Sequence, residues 1–181
     1  MRKPVIFSIA SVLMLVISMA ACSPAPEPKE FKSAAGRFSV MSPLVLKETT
    51  QSIDTTAAGK ITFYVFWGKQ GDRECAVSYG DYPESIIQKI SPQVILDGAR
   101  NGMVSNINGK LISETKIALE GNPGRELLID VLAGKGQEMT LKTRIFLVKN
   151  RLFQIMWLAP KGRASIIEMD AFLQSLKLLK N

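Results

Sequence analysis

At 181 residues, with 46% apolar and 22% charged side chains, the chain has the length and balance of one globular domain that buries its own core. Histidine is absent and cysteine occurs only twice, which excludes Ser-His and Cys-His nucleophilic pairs, imidazole metal ligation and zinc sites built from two cysteine pairs. The formal charge of +7 is scattered along the chain with no dense basic run and no nucleic-acid-binding motif, so nucleic acid is not an expected partner.

Arg2 and Lys3 open the chain, Val5 to Ile17 is apolar except for Ser8 and Ser11, and Met19-Ala20-Ala21 leads into Cys22. A positive start, an apolar middle and a small-residue end make a secretory signal, not an element of the fold. The segment ending at Cys22 resembles the lipobox of bacterial lipoproteins, with Met19 where Leu is usual. That resemblance implies diacylglycerol on the Cys22 thiol, cleavage just before it, and attachment to a membrane. Each buried acyl methylene contributes ~0.8 kcal/mol, so two or three chains hold a protein where one does not. In a bacterium with two membranes, Ser23 in place of Asp implies sorting to the periplasmic face of the outer membrane. Two other readings stay open. One is ordinary cleavage after Ala20 or Ala21; the other is an uncleaved anchor, for which the apolar run lies at the short end of the ~17–25 residues that span a bilayer. Removal of the signal takes Arg2 and Lys3 from the formal charge and leaves a scattered surplus, which reads as a solvated surface and also suits anionic headgroups.

The chain thus divides into 1–21 as signal, 22–35 as lipidated cysteine and proline-rich tether, and 36–181 as one folded domain. Pro24, Pro26 and Pro28 alternate, which favours an extended, semi-rigid spacer. Within the domain, Gly36 to Met41 reads as a first strand and Leu44 to Ile53 as a second. Lys60 to Trp67 is β-branched and aromatic on both faces, which predicts a central strand. After a hairpin at 68–72, Glu74 to Tyr82 returns with Cys75, Val77 and Tyr79 on one face. Ser91 and Pro92 suit the N-cap and first position of a helix whose apolar stripe is Ile95, Ala99, Met103 and Ile107. Lys110 to Leu119 is the next strand, followed by a turn over Gly121-Asn122-Pro123-Gly124 with Gly124 expected at positive φ. Arg125 to Leu132 and Gln137 to Val148 follow. Lys149-Asn150 is a tight hairpin with Asn expected in the left-handed conformation. Arg151 to Ala159 is apolar on both faces and is expected in mid-sheet. Ser165 to Glu168 reads as a capping box for a last helix reaching about Leu176. The order β4-α-β4-α predicts an α+β fold, a largely antiparallel sheet of about six to eight strands flanked by two amphipathic helices.

Three signatures carry a second resemblance: Gly36, Arg37, Phe38, Val40 and Pro43; Gly121, Pro123, Gly124, Arg125 and Glu126; and the hairpin RIFLVKNRLFQIMW. Through them, most of residues 36–179 resembles small exported bacterial proteins with no assigned activity and, more loosely, the PsbP-type fold, an antiparallel sheet between helices. The resemblance implies a fold and a non-catalytic assembly or stabilising role. It brings over no catalytic residue and no photosystem role.

The remaining candidates are few. Cys75, in a strand, is expected as a small core residue and not a reactive thiol. Asp72, Glu74, Asp81 and Glu84 cluster in sequence but lack calcium-loop spacing, so solvated strand ends are the better reading and no metal site is assigned. Gly134-Lys135-Gly136 lacks the spacing of a phosphate-binding loop. Arg125 is expected to pair with a carboxylate or cap a sheet edge. Lys142, Arg144, Lys149, Arg151, Lys161 and Arg163 form a candidate basic contact patch if the last hairpin brings them together, for anionic headgroups or an acidic partner; a merely solvated edge is the favoured reading. The sequence therefore assigns no catalytic residue and no cofactor. Its expectation is a membrane-anchored envelope protein that works through a protein partner; the alternative is a small-ligand or lipid module with a cleft between sheet and helix.

Overall fold

The computed structural model describes residues 27–55, 58–162 and 166–180. Cys22, Pro24, Pro26, Arg163 and the capping residue Ser165 therefore lie outside the described residues. The domain is α+β, with two antiparallel sheets. β1 (Lys29–Ser33), β2 (Phe38–Ser42) and the short β10 (Lys177–Leu178) form a three-stranded sheet in the order β1-β2-β10. The larger sheet has seven strands: β3 (Lys47–Thr55), β4 (Gly59–Gln70), β5 (Arg73–Asp81), β6 (Lys110–Leu119), β7 (Asn122–Ala133), β8 (Gln137–Val148) and β9 (Arg151–Pro160), ordered β3-β4-β5-β9-β8-β7-β6. Three helices accompany them: α1 (Glu84–Ile87), α2 (Pro92–Asn106) and α3 (Ile166–Gln174).

The large sheet is covered on both faces, and strand alternation divides the core accordingly. On one face Val77, Tyr79, Phe146, Phe153, Ile155 and Trp157 pack with Phe38 and Val40 of β2 and Met169, Phe172 and Leu173 of α3. On the other, Ile61, Phe63, Leu127, Ile129, Leu141 and Leu152 pack with Ile95 and Leu96 of α2. β9 lies in the middle of the order, as its two apolar faces predict: Phe153, Ile155 and Trp157 serve the α3 face, Leu152 and Leu158 the α2 face. α2 is capped as expected, Ser91 Oγ accepting the Val94 N–H with Pro92 at the first turn.

Several expectations need correction. The chain joins the small sheet already at Lys29, inside the stretch read as tether, because Phe31 packs 5.0 Å from the Phe66 ring. β4 is not central; only β3 lies beyond it, and Tyr64 and Trp67 remain 40% and 39% exposed. The β6–β7 turn is Glu120-Gly121, both at positive φ (49° and 82°), with Leu119 paired to Asn122. A two-residue turn of this kind matches the strand twist. Pro123 and Gly124 belong instead to β7, and Pro123 is tolerated because the ladder to β8 begins only at Gly124. At the β8–β9 turn the left-handed residue is Lys149, not Asn150. Asn150 clamps the end of β5, donating its side-chain amide to Tyr82 O at 3.0 Å. α3 stops at Gln174 because Ser175 turns its hydroxyl to Phe172 O and receives Met41 N–H, which leads the chain into β10 against β2.

Candidate functional site

Arg125 on one face of the sheet and Lys142 with Arg144 on the other lie in two separate charged networks. On the α2 face the centre is Arg125, whose side chain is 6% exposed. Its Nε donates to Glu114 Oε1 at 2.8 Å, and its Nη2 reaches Gln93 Oε1 and lies 3.5 Å from Asp97. Arg100 of α2 donates to the other oxygen of Glu114 at 2.7 Å. This answers the expectation that Arg125 pairs with a carboxylate and ties α2 to β6 and β7. Glu114 reaches this face through an irregularity. Leu111 pairs with Ile129 and Ser113 with Leu128, so Ile112 is passed over in the ladder. The extra residue reverses the alternation, and Glu114, opposite Leu127, points toward α2 like Leu111.

On the α3 face, Lys142 of β8 donates to Asp170 of α3 at 2.7 Å and lies 3.3 Å from Glu126 of β7. Burial pulls its pKa down, but the hydrogen bond to Asp170 and the charges of Glu126 and Asp170 outweigh this and leave it raised. Arg144 donates Nε to Glu126 at 2.6 Å. No other hydrogen bond from its guanidinium occurs among the described residues, so its two terminal nitrogens keep their protons free.

The other basic residues do not join these two. Arg151 forks onto Asp81 at 2.6 and 2.7 Å, donates to the carbonyls of Ala35 and Gly36, and stacks 4.4 Å over the Tyr79 ring. The hydrogen bond to Asp81 raises its pKa further. Lys161 pairs with Asp130 at 2.7 Å. It follows Pro160, opposite Met139, while Lys149 lies at the far turn beyond Val148 and Arg151. At ~3.4 Å per residue these ends are about 30 Å apart. Lys142, Arg144, Arg151 and Lys161 thus serve internal pairs, and Lys149 stands exposed at the turn.

Cys75 is 1% exposed beside Ser42 Oγ, and burial pushes its thiol up to about 11. It is a core residue, as expected. Among the acidic candidates, Glu74 is paired with Lys69 and Asp81 with Arg151 at the opposite end of β5. No metal-ligand cluster occurs among the described residues.

Two shallow grooves open on the α3 face. One, of about 430 Å³, lies between β1 and the large sheet and is lined by Phe31, Leu46, Phe66, Tyr79 and Glu48. The other, of about 390 Å³, lies between the end of α3 and the β6–β8 edge, with Arg144 in its wall.

No family model matches the chain, and no curated protein matches it. Among solved structures the chain is similar to the cyanobacterial PsbP, CyanoP, of Synechocystis sp. PCC 6803. The identity is 11% and the TM-score 0.55, covering 90% of this chain and 98% of that one. Looser likenesses are to a Bacteroides thetaiotaomicron protein (17% identity, TM-score 0.49, 86% of this chain and 50% of that one) and to PA94 of Pseudomonas aeruginosa, a protein of unknown function (10% identity, TM-score 0.39, 75% and 85%). At these identities the likeness is one of fold: the α+β architecture built above is PsbP-like.

Proposed function

We propose that the chain is a lipid-anchored envelope protein whose PsbP-like domain acts through contacts, as a non-catalytic assembly or stress factor. The observation that carries this is the N-terminal sequence itself. A charged start, an apolar run and Met19-Ala20-Ala21-Cys22 together match what export and thiol acylation require. The domain supports the second half of the reading. Its one described thiol is buried in the core, and its inward-facing charges are engaged in holding helices to the sheet. The fold is shared with the cyanobacterial PsbP, CyanoP, and the PsbP-type resemblance is what implies a contact role. The partner is a protein of the cell envelope.

Mass spectrometry of the mature N-terminus tests the anchor: Cys22 carrying acyl mass is expected, and an unmodified Cys22 overturns it. Capture of the full chain from crosslinked membranes tests the contact role. A reproducible envelope partner is expected; recovery of the chain alone counts against contact.

A further inference from the structure

We propose that the groove between the end of α3 and the β6–β8 edge binds a single-chain fatty carboxylate, its carboxylate held by the free terminal nitrogens of Arg144. This goes beyond anchoring, because the ligand is a separate amphiphile and the site is on the folded domain. Three features of the fold create the site.

The first is incomplete cover. α3 packs mainly on β2, β8 and β9 and covers β6 and β7 less fully, while their other face is closed by α2 and the Arg125 network. Ile117 and Leu119 are left half-buried at the edge, packed against the core that includes Leu173 and Leu176 and lining the groove with them. The second is a low floor. Ile117, Gly124 and Phe146 stand side by side across β6, β7 and β8. A Cβ on Gly124 would meet Phe146 Cδ1 at 2.4 Å, so the Phe146 ring leans over the glycine and floors the groove where a side chain would otherwise stand. The third is a polarised wall. Arg144 is one row further along the same face, committed to Glu126 only through Nε. A guanidinium offers a planar fork that suits a carboxylate.

The chemistry of the ligand follows from this pairing. A small inorganic anion would satisfy Arg144 but leave the half-buried Ile117 and Leu119 against water. A neutral hydrocarbon would cover them and leave the free guanidinium donors unused. A chain with a terminal carboxylate satisfies both. The volume of about 390 Å³ falls within the ~300–1,000 Å³ of small-molecule clefts.

Laurate labelled at the carboxyl carbon is the probe, followed by NMR with the full chain held in lipid nanodiscs and empty nanodiscs as the reference for partition. Saturable binding above the empty discs is expected. Arg144→Gln should weaken laurate roughly tenfold or more while leaving dodecanol binding unchanged, since Lys142 still neutralises Glu126. Gln174→Trp, a change at an exposed groove residue, should block both ligands and keeps the test valid if the arginine variant folds poorly. Absence of saturable binding, laurate affinity unaltered by either variant, or competition by inorganic phosphate as effective as by laurate would each overturn the proposal.

Discussion

Replacing Glu114 with Gln tests the connection between α2 and the β6–β7 edge. Each carboxylate oxygen serves one arginine, Arg125 at 2.8 Å and Arg100 at 2.7 Å. Gln keeps the volume and one carbonyl acceptor but turns an amide NH₂ toward the second guanidinium, and both arginines lose their counter-charge. Arg125 has almost no access to water as a substitute, its side chain being 6% exposed. Stranding a fully buried partner of this kind costs ~3–5 kcal/mol. Two observations reduce that figure here. Glu114 is 24% exposed, and Asp97 stays 3.5 Å from Arg125 and 3.4 Å from Arg100. The expected loss is therefore ~2–3 kcal/mol. In a domain of this size that lowers Tm by roughly 5–10 °C. Urea unfolding followed by circular dichroism should show a lower midpoint with an unchanged slope. The double variant Glu114→Gln/Arg125→Met should recover part of the loss, because it removes the stranded charge. A loss below ~0.5 kcal/mol is the size of an exposed pair, and finding one would refute the claim that Glu114 is the centre of a buried network.

Two further predictions concern the α3 face. Gly124→Ala should destabilise by ~1–3 kcal/mol, since its Cβ would lie 2.4 Å from Phe146 and 2.5 Å from the Ile145 carbonyl oxygen, and the latter is backbone; an unchanged urea midpoint would show that the strands yield freely. Cys75 should be invisible to Ellman's reagent in the native full chain and titrate as one thiol after unfolding, with Cys22 contributing none if it is acylated; a fast native thiol would refute burial or acylation, and Cys75→Ala tells which. Its folded pKa of about 11 exceeds the ordinary 9.0, so the unfolded chain loses this proton first. The associated stability is complete below pH 9 and is lost as pH rises toward 11, at up to ~1.4 kcal/mol per unit. Cys75→Ala should flatten the pH dependence in that window, and an equal slope in both proteins would dismiss the assignment.

Much of the frame was legible because alternation is a strong signal. RLFQIMWLA carries apolar residues on both faces and could only be covered twice, which places β9 in mid-sheet. The Ser91-Pro92 start and the Ser165 to Glu168 box likewise announced α2 and α3. What escaped notice depends on partners distant in sequence. KEFKS is too polar and too close to proline to read as a strand, yet Phe31 finds Phe66 and Phe38. The Pro123-Gly124 pair has the local chemistry of a turn, but Glu120-Gly121 turns first, and Gly124 is needed small for Phe146. The basic residues of the last hairpin likewise depend on distances that sequence spacing hides. They are close in sequence, but strand length separates Lys161 from Lys149, and Lys142 and Arg144 face inward to Asp170 and Glu126. Glu114 was unreadable because its direction depends on one passed-over residue, Ile112.

The adjacent pair Arg125-Glu126 shows how the two faces come to differ. Neighbours in a strand point to opposite sides, so one residue serves each cover. Arg125 points to α2, where Glu114, Gln93 and Asp97 use its Nε and Nη2, and that side of the β6–β7 edge is shut. Glu126 points to the α3 face and accepts from Lys142 and Arg144. There Glu126 holds Arg144 by Nε alone, and among the described residues the terminal nitrogens make no hydrogen bond. Buried ionic groups without a full set of partners are costly where no water or ligand can supply one. Arg144, 20% exposed at the wall of an open groove, escapes that cost because something from outside can complete it. In the proposed complex, a ligand carboxylate takes the place of water on Arg144. The groove adjoins Leu173 and Gln174 at the end of α3, so the proposed ligand is expected to stabilise the seating of that helix as well.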